Sequence, residues 1–280
     1  MPGSAPFGNT VRFPGFRARS ADEAGPVAGP TVRFTTERQR MDPRSVLITG
    51  GSRGIGAAVA RAFAAQGDRV AVTYRNRPPA GDALPQGVLA LPCDVTAPEQ
   101  IATALKQIEE AHGPVEVLVA NAGITQDGLL LRMSEEDFTT VLDTNLTGAF
   151  RVVKAVSGKM LRARSGRIVL ISSAVAMRGE AGQSNYAASK AGMIGLARSL
   201  AREFGPRSIT VNVVAPGLTE TDMSAQLTEK QREALIAEIP LGRMARPEEV
   251  AAAVRFLASA EAGYITGAIL PVDGAAATGH

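Results

Sequence analysis

Seven short runs of mostly β-branched and other apolar residues, spaced by longer alanine-rich stretches, constrain this chain more than any other feature of its sequence. The runs are Ser45 to Thr49, Arg69 to Tyr74, Val88 to Leu91, Val115 to Val119, Arg167 to Ile171, Thr210 to Val214 and Ile269 to Val272. They are too short for helices and too continuously apolar for half-exposed strands, so they read as strands buried on both faces. Between them, Ile55 to Ala65, Ala97 to Ala111, Asn185 to Phe204 and Pro247 to Ala258 have the amphipathic character of helices. Parallel neighbours in a sheet need a crossover, which a helix supplies, so this alternation implies an α/β fold with a doubly wound parallel sheet of about seven strands and helices on both faces. One crossover departs from the rule. Arg75-Asn76-Arg77-Pro78-Pro79 and a third proline at Pro85 leave no room for a regular helix before Val88, and a loop is expected there.

The 280 residues fit one large domain, and no apolar run approaches the roughly 18 to 20 residues of a membrane-spanning helix, so no membrane insertion is expected. A single cysteine, Cys93, rules out an internal disulfide and fits a reducing, cytoplasmic setting. Two histidines, His112 and His280, do not make a metal site. The net charge of +3 is small, much of it comes from the first 40 residues, and it implies no nucleic-acid partner. Residues 1–40 mix proline, glycine and six arginines with almost no apolar periodicity, and are expected to be a disordered, dispensable extension. Residues 41–280 are then the folded domain, with Met41 standing just before the first strand.

After the first strand the chain reads Thr49-Gly50-Gly51-Ser52-Arg53-Gly54-Ile55-Gly56 and enters a helix. Glycines there permit a tight turn and close approach of a pyrophosphate, while the free N–H groups and dipole of the helix start favour negative charge. This implies a dinucleotide site. Sites selecting NAD place an acid at the end of the second strand, where it binds ribose hydroxyls and repels a 2′-phosphate. Here Tyr74-Arg75 stands in that place, and Arg53 and Arg75 offer paired charge-assisted hydrogen bonds to a phosphate, which points to NADP(H).

Tyr186 and Lys190 lie four apart on a helical stretch and therefore share one face. An ordinary phenol is a weak acid at neutral pH. A neighbouring ammonium stabilises phenolate, which is expected to bring Tyr186 toward the working range. Ser173 follows the Arg167 to Ile171 run, where its hydroxyl can donate to an oxygen that gains negative charge. Each residue alone is uninformative, since Tyr-x-x-x-Lys arises by chance and a serine pair after a strand is usually a turn or cap. Their combination with the glycine loop carries the weight.

The glycine loop, Asn121-Ala122-Gly123, Asn145, Ser173, Tyr186-Ala187-Ala188-Ser189-Lys190 and Pro216-Gly217 occur in the order seen in short-chain dehydrogenases/reductases, which this chain resembles from about Arg44 to its end. Leu129 to Met133, Asn145 to Arg151, Ile209 to Met223 and Tyr264 to Gly267 are similar to 3-oxoacyl-[acyl-carrier-protein] reductases, particularly the mycobacterial type. The resemblance implies a single Rossmann-type domain that reduces 3-oxoacyl to 3-hydroxyacyl thioesters in fatty acid biosynthesis. It further implies that Gly50, Ser52, Arg53, Gly54, Ile55, Gly56, Arg75, Asn121, Ala122, Gly123, Pro216 and Gly217 surround the cofactor. Asp94-Val95 would contact the adenine and Thr221 would lie beside the nicotinamide amide. Tyr186 would protonate the ketone oxygen, Ser173 would hold that oxygen, Lys190 would bind the nicotinamide ribose, and Asn145 would complete a water-linked proton relay. The plainer role for Asn145 is bonding to nearby backbone.

Arg164 and Arg207 match in spacing the two arginines that dock acyl carrier protein in similar reductases. Similar proteins are tetramers, and the helices beginning near Asn145 and Tyr186 are the expected interface, with Ala187, Ala188, Ala191, Gly192 and Gly195 allowing close approach between or within subunits. The chain departs from the usual pattern at Ala120, Ala176 and Ala275. Rival readings are an NADPH reductase of another ketone, such as acetoacetyl-CoA or a polyketide, and a non-catalytic dinucleotide sensor, which would have no need of Ser173, Tyr186 and Lys190 together.

Overall fold

A computed structural model describes residues 43–222 and 224–277. The expectations for residues 1–40, for Met41 and for Met223 and His280 lie outside these residues. In chain order the elements are β1 (Ser45–Thr49), α1 (Gly54–Ala64), β2 (Arg69–Tyr74), β3 (Leu89–Pro92), α2 (Pro98–His112), β4 (Val117–Ala120), α3 (Glu135–Leu142), α4 (Gly148–Ala163), β5 (Gly166–Ile171), α5 (Val175–Arg178), α6 (Ser184–Phe204), β6 (Ile209–Pro216), α7 (Glu229–Ala237), α8 (Pro247–Leu257) and β7 (Ile269–Val272). The seven strands form one sheet in the order β3-β2-β1-β4-β5-β6-β7, and every pairing is parallel. This is the doubly wound Rossmann-type architecture.

Alternation within the strands divides the core in two. Leu47, Leu118, Ile168, Leu170, Val211 and Val213 face one way, where Ile101 and Ile108 of α2, Val152 and Met160 of α4 and Met193 and Phe204 of α6 cover them. Val46, Ile48, Val117, Val119, Val169, Ile171 and Val214 face the other way, under Val59 and Phe63 of α1 and Val250 and Val254 of α8. Period-two patterning cannot show in the sequence because both faces are apolar. Removing each of these large side chains from water contributes roughly 1.5–3 kcal/mol.

The β2–β3 crossover has no α-helix, as the prolines require; it holds only a single 3-10 turn, Gly81–Ala83. Strand ends differ slightly from the sequence reading. β6 runs on to Pro216 because all eight of its residues are buried, and β4 starts at Val117 although Val115 is already buried. The helix expected near Asn145 begins at Gly148, after a turn of π-helix over Asp143–Thr147. On α6, a Cβ at Gly192 would stand 2.7 Å from Leu146 Cδ2, so this glycine serves packing inside the subunit, whereas one at Gly195 would meet nothing within 4 Å. Ala275, where a glycine is usual in similar proteins, has φ +73°, a left-handed conformation that costs an L-residue roughly 1–2 kcal/mol.

Candidate active site

The chain reverses its direction of winding between β1 and β4, and a crevice opens there at the carboxyl ends of the strands. The glycine turn follows β1. Gly50 and Gly54 take φ values of +64° and +53°, and a Cβ at Gly51 would collide with Val72 at 2.6 Å. Only glycine lets the turn lie this close to β2. The Asn121 side chain, just past β4, is spent on this turn, since its Nδ2 donates to the carbonyls of Thr49 (3.0 Å) and Gly50 (2.9 Å). Thr49 Oγ1 in return accepts from the backbone N–H groups of Asn121 and Ala122, both at 3.1 Å. Helix α1 therefore starts at the floor of the crevice, with no side-chain cap and no acid in its first turn. Its free N–H groups and positive dipole end suit a phosphate.

Of the other sequence-assigned residues, Ser52, Arg53, Gly54 and Thr221 line one cleft. Half-buried Asp94 ends the β3 side, its Oδ1 accepting from Thr96, while Val95 is buried beside Gly148. Gly217 lies tight against Asp273, and the Pro216 carbonyl accepts from Ala174 N at 2.8 Å. Thr221 stands over the start of α1, its Cγ2 3.4 Å from the Cβ position of Gly54. Arg53 is paired with Asp222 at 2.8 Å, and both side chains are more than half exposed. Arg75 is exposed just beyond β2 and forms no ion pair with the described residues.

Ser173, Tyr186 and Lys190 meet at the carboxyl end of β5. Ser173 is buried; its hydroxyl accepts from Val175 N at 3.2 Å and is near enough to the Tyr186 phenol to lower that group's pKa. One helical turn on, Lys190 Nζ sits 5.7 Å from the centre of the Tyr186 ring. It donates to the Ile171 carbonyl at 2.8 Å and approaches Met193 Sδ at 3.8 Å, with no further partner among the described residues for its third proton; a Cβ added at Gly123 would stand 3.4 Å from it. Burial brings the ammonium down to about 8. Burial also pushes the Tyr186 phenol up; the Ser173 hydroxyl pulls it the other way, and the Asp127 carboxylate pushes it further up. The expected lowering of Tyr186 by Lys190 is not found in the protein alone: burial is the largest cause acting on the phenol and moves it upward, and Lys190 is not among the causes.

The Asn145 side chain is fully engaged. Its Oδ1 accepts from Ile124 N at 2.8 Å, and its Nδ2 donates to the Ile124 carbonyl and to Ser189 Oγ, both at 3.0 Å. It clamps the segment after β4 to α6, so a relay through this residue would have to use its backbone, which the π-turn displaces from the regular helical ladder. Two supporting residues stood in the sequence motifs without a role in the sequence reading. Ser172 Oγ donates to the Lys190 carbonyl at 2.8 Å, and Ser189 Oγ donates to the Tyr186 carbonyl at 2.8 Å. Only the tertiary contacts, Ser172 to the Lys190 carbonyl and Asn145 Nδ2 to Ser189 Oγ, distinguish them from ordinary cap residues.

Arg164 and Arg207 come together, since Arg164 Nη2 donates to the carbonyl of Pro206 at 3.2 Å. They lie before β5 and β6, at the amino edge of the sheet, whereas Ser173 follows the carboxyl end of β5. A six-residue strand separates the two ends by roughly 20 Å.

Residues 50–275 match the family described as Enoyl-(Acyl carrier protein) reductase. Over 237 residues the chain is 49% identical to the 3-oxoacyl-[acyl-carrier-protein] reductase MabA of Mycobacterium bovis, which covers 85% of this chain and 94% of that protein. It is 47% identical to the corresponding reductase FabG of Vibrio cholerae (84% and 97% covered). With FabG of Escherichia coli it shares 48% identity (81% and 95% covered). The chain belongs to the short-chain dehydrogenase/reductase family. Reductases of this family use NAD(P)H, and the uncapped start of α1, the glycine cradle and the unfilled proton of Lys190 fit such a cofactor in this member. No helix among its described residues is long and apolar enough to cross a membrane.

Proposed function

We propose that the chain is a cytoplasmic, NADPH-dependent 3-oxoacyl-[acyl-carrier-protein] reductase of fatty acid biosynthesis. The observation that carries this reading is the meeting of Ser173, Tyr186 and the buried Lys190 ammonium at the carboxyl end of β5, the same end of the sheet at which the glycine turn follows β1. The bound nicotinamide supplies the hydride. Ser173 donates a hydrogen bond to the ketone oxygen, and Tyr186 gives its proton to that oxygen as charge develops there. Lys190, pinned by the Ile171 carbonyl, offers its free proton to the nicotinamide ribose and remains the cation beside the phenolate that forms. Arg53 and Arg75 answer the 2′-phosphate, and Asp94 and Val95 border the adenine.

The substrate assignment rests on the relatives, all of which are named for 3-oxoacyl groups on acyl carrier protein. If Arg164 and Arg207 dock the acidic carrier, their distance from Ser173 within one protomer means that docking serves the site of a neighbouring protomer. That requires an oligomer. Ala188, Ala191 and Gly195, exposed along α6, provide a flat small-residue face for a tetramer.

Steady-state rates with 3-oxoacyl groups on carrier protein and on CoA, each with NADPH and NADH, test the assignment. The carrier-bound substrate with NADPH is expected to give the highest kcat/KM, and Tyr186→Phe to retain NADPH affinity while losing most of kcat. Preference for the CoA thioester would move the enzyme to the acetoacetyl-CoA class. Substantial turnover by Tyr186→Phe would identify a different acid.

A further inference from the structure

In front of the α1 start lies a cleft of about 500 Å³, with Arg53, Arg61, Arg77, Glu220 and Asp222 among its lining side chains. The charges of the cleft pair off unevenly. Arg53 is answered by Asp222 at 2.8 Å, an exposed pair weak enough for a phosphate dianion to displace. Arg61 is committed twice, through Nη2 to Glu248 and through Nη1 to the Ala83 carbonyl, both at 3.0 Å. Glu220 lies within electrostatic reach of Arg243. Arg77 alone among these arginines is exposed with no hydrogen bond or ion pair to the described residues.

The local chain explains why that guanidinium stands on the cleft wall. Pro78 and Pro79 follow it directly and restrict the backbone to extended conformations. The Arg61 bond to Ala83 ties the far side of the same turn to α1. The loop that replaces the missing crossover helix therefore places Arg77 in the wall of the same cleft as Arg53 and the start of α1, which is suited to phosphate. We propose that Arg77 is a specificity-determining residue that, with Arg53, grips the 2′-phosphate of NADPH in this cleft. The inference rests on the NADPH reading above and adds a residue that the spacing of the second strand did not reveal. A guanidinium held by a short proline-stiffened turn forms paired hydrogen bonds to a phosphate with little further ordering.

Calorimetric binding of 2′,5′-ADP and of 5′-AMP to the full chain separates the possibilities without any turnover. Wild type is expected to prefer 2′,5′-ADP. Arg77→Ala should weaken 2′,5′-ADP by about tenfold or more while leaving 5′-AMP unchanged, the loss of charge-assisted hydrogen bonds. Arg77→Lys should recover part of that loss, and the melting temperature of both variants should match wild type. If Arg77→Ala keeps the wild-type preference, Arg77 is only a solvated side chain and the inference fails, though NADPH use stands. If wild type itself binds the two nucleotides equally, the NADPH reading fails and takes the inference with it.

Discussion

Taking a phenol and an ammonium out of water disfavours the charged form of each, so burial raises Tyr186 above its ordinary 10 and brings Lys190 down to about 8. The two groups therefore lose their protons in the reverse of the order that isolated side chains suggest. On the proposed mechanism, reduction needs Tyr186 protonated, as the acid, and Lys190 charged, as the ribose ligand. The first condition persists well beyond neutral pH, whereas the second ends near pH 8. We expect kcat/KM for NADPH, which reports groups of the free enzyme, to fall as pH rises through about 8. In Lys190→Arg, whose guanidinium does not titrate there, the limb should move upward. Global unfolding does not produce the same limb. Between about 8 and 10.5 the unfolded chain holds the lysine proton that the folded chain has released, so this group adds stability as pH rises. A limb that stays near 8 in Lys190→Arg would belong to another residue.

Helix α1 and the turn before it work as a unit because Gly56 brings the first turn of the helix onto the glycine loop. A Cβ at that position would stand 2.7 Å from Asn121 Nδ2 and 2.9 Å from Gly51 Cα, both too close and neither at the end of a flexible chain. Gly56→Ala must therefore push α1 away from the loop or break the Asn121 bonds to Thr49 and Gly50. Overpacking of this kind costs about 1–3 kcal/mol. The expected result is a melting temperature lower by several degrees and a weaker Kd for NADPH, with Gly158→Ala as the control. Gly158 is exposed in α4, its nearest outside contact is 4.0 Å away, and alanine there should be neutral or stabilising. An unchanged Tm and Kd in Gly56→Ala would mean that the loop has slack the contacts do not suggest. What the sequence revealed at this scale follows the same logic of contact. Strands and long helices announced themselves by apolar runs and amphipathic stretches. α5 and α7 bury no residue and so had no apolar face to read, although the Thr228–Gln231 capping box marks the start of α7. The Asn145 clamp joins residues 21 apart and the Ser172 bond joins residues 18 apart, links that no local pattern encodes. Arg75 was legible from its place after a strand, whereas Arg77 needed the folded loop to be seen.

For the molecule as a whole, the six arginines of residues 1–40 stand against Asp22, Glu23 and Glu37, which accounts for the entire net charge of +3. The domain that follows is balanced, so attraction of an acidic carrier must come from local clusters such as Arg164 and Arg207 rather than from an overall field. We propose that residues 41–280 fold as the reductase domain. Its opening described residues are secured by contacts inside the domain. Arg44 N and Nε both donate to Asp68 Oδ1, at 3.1 and 3.2 Å, Nη2 reaches Asp68 Oδ2 at 2.8 Å, and Nη1 reaches the Ala258 carbonyl at 2.7 Å. This joins the start of β1 to the turn before β2 and to the end of α8, and β1 itself is buried along its whole length. A chain beginning at Met41 should therefore keep its melting temperature within a degree or two, its kcat with NADPH, and the salt dependence of kcat/KM for carrier-bound substrate. If the shorter chain keeps its Tm but loses that salt dependence, the basic extension is itself part of carrier docking. A marked fall in Tm would instead make the extension part of the fold.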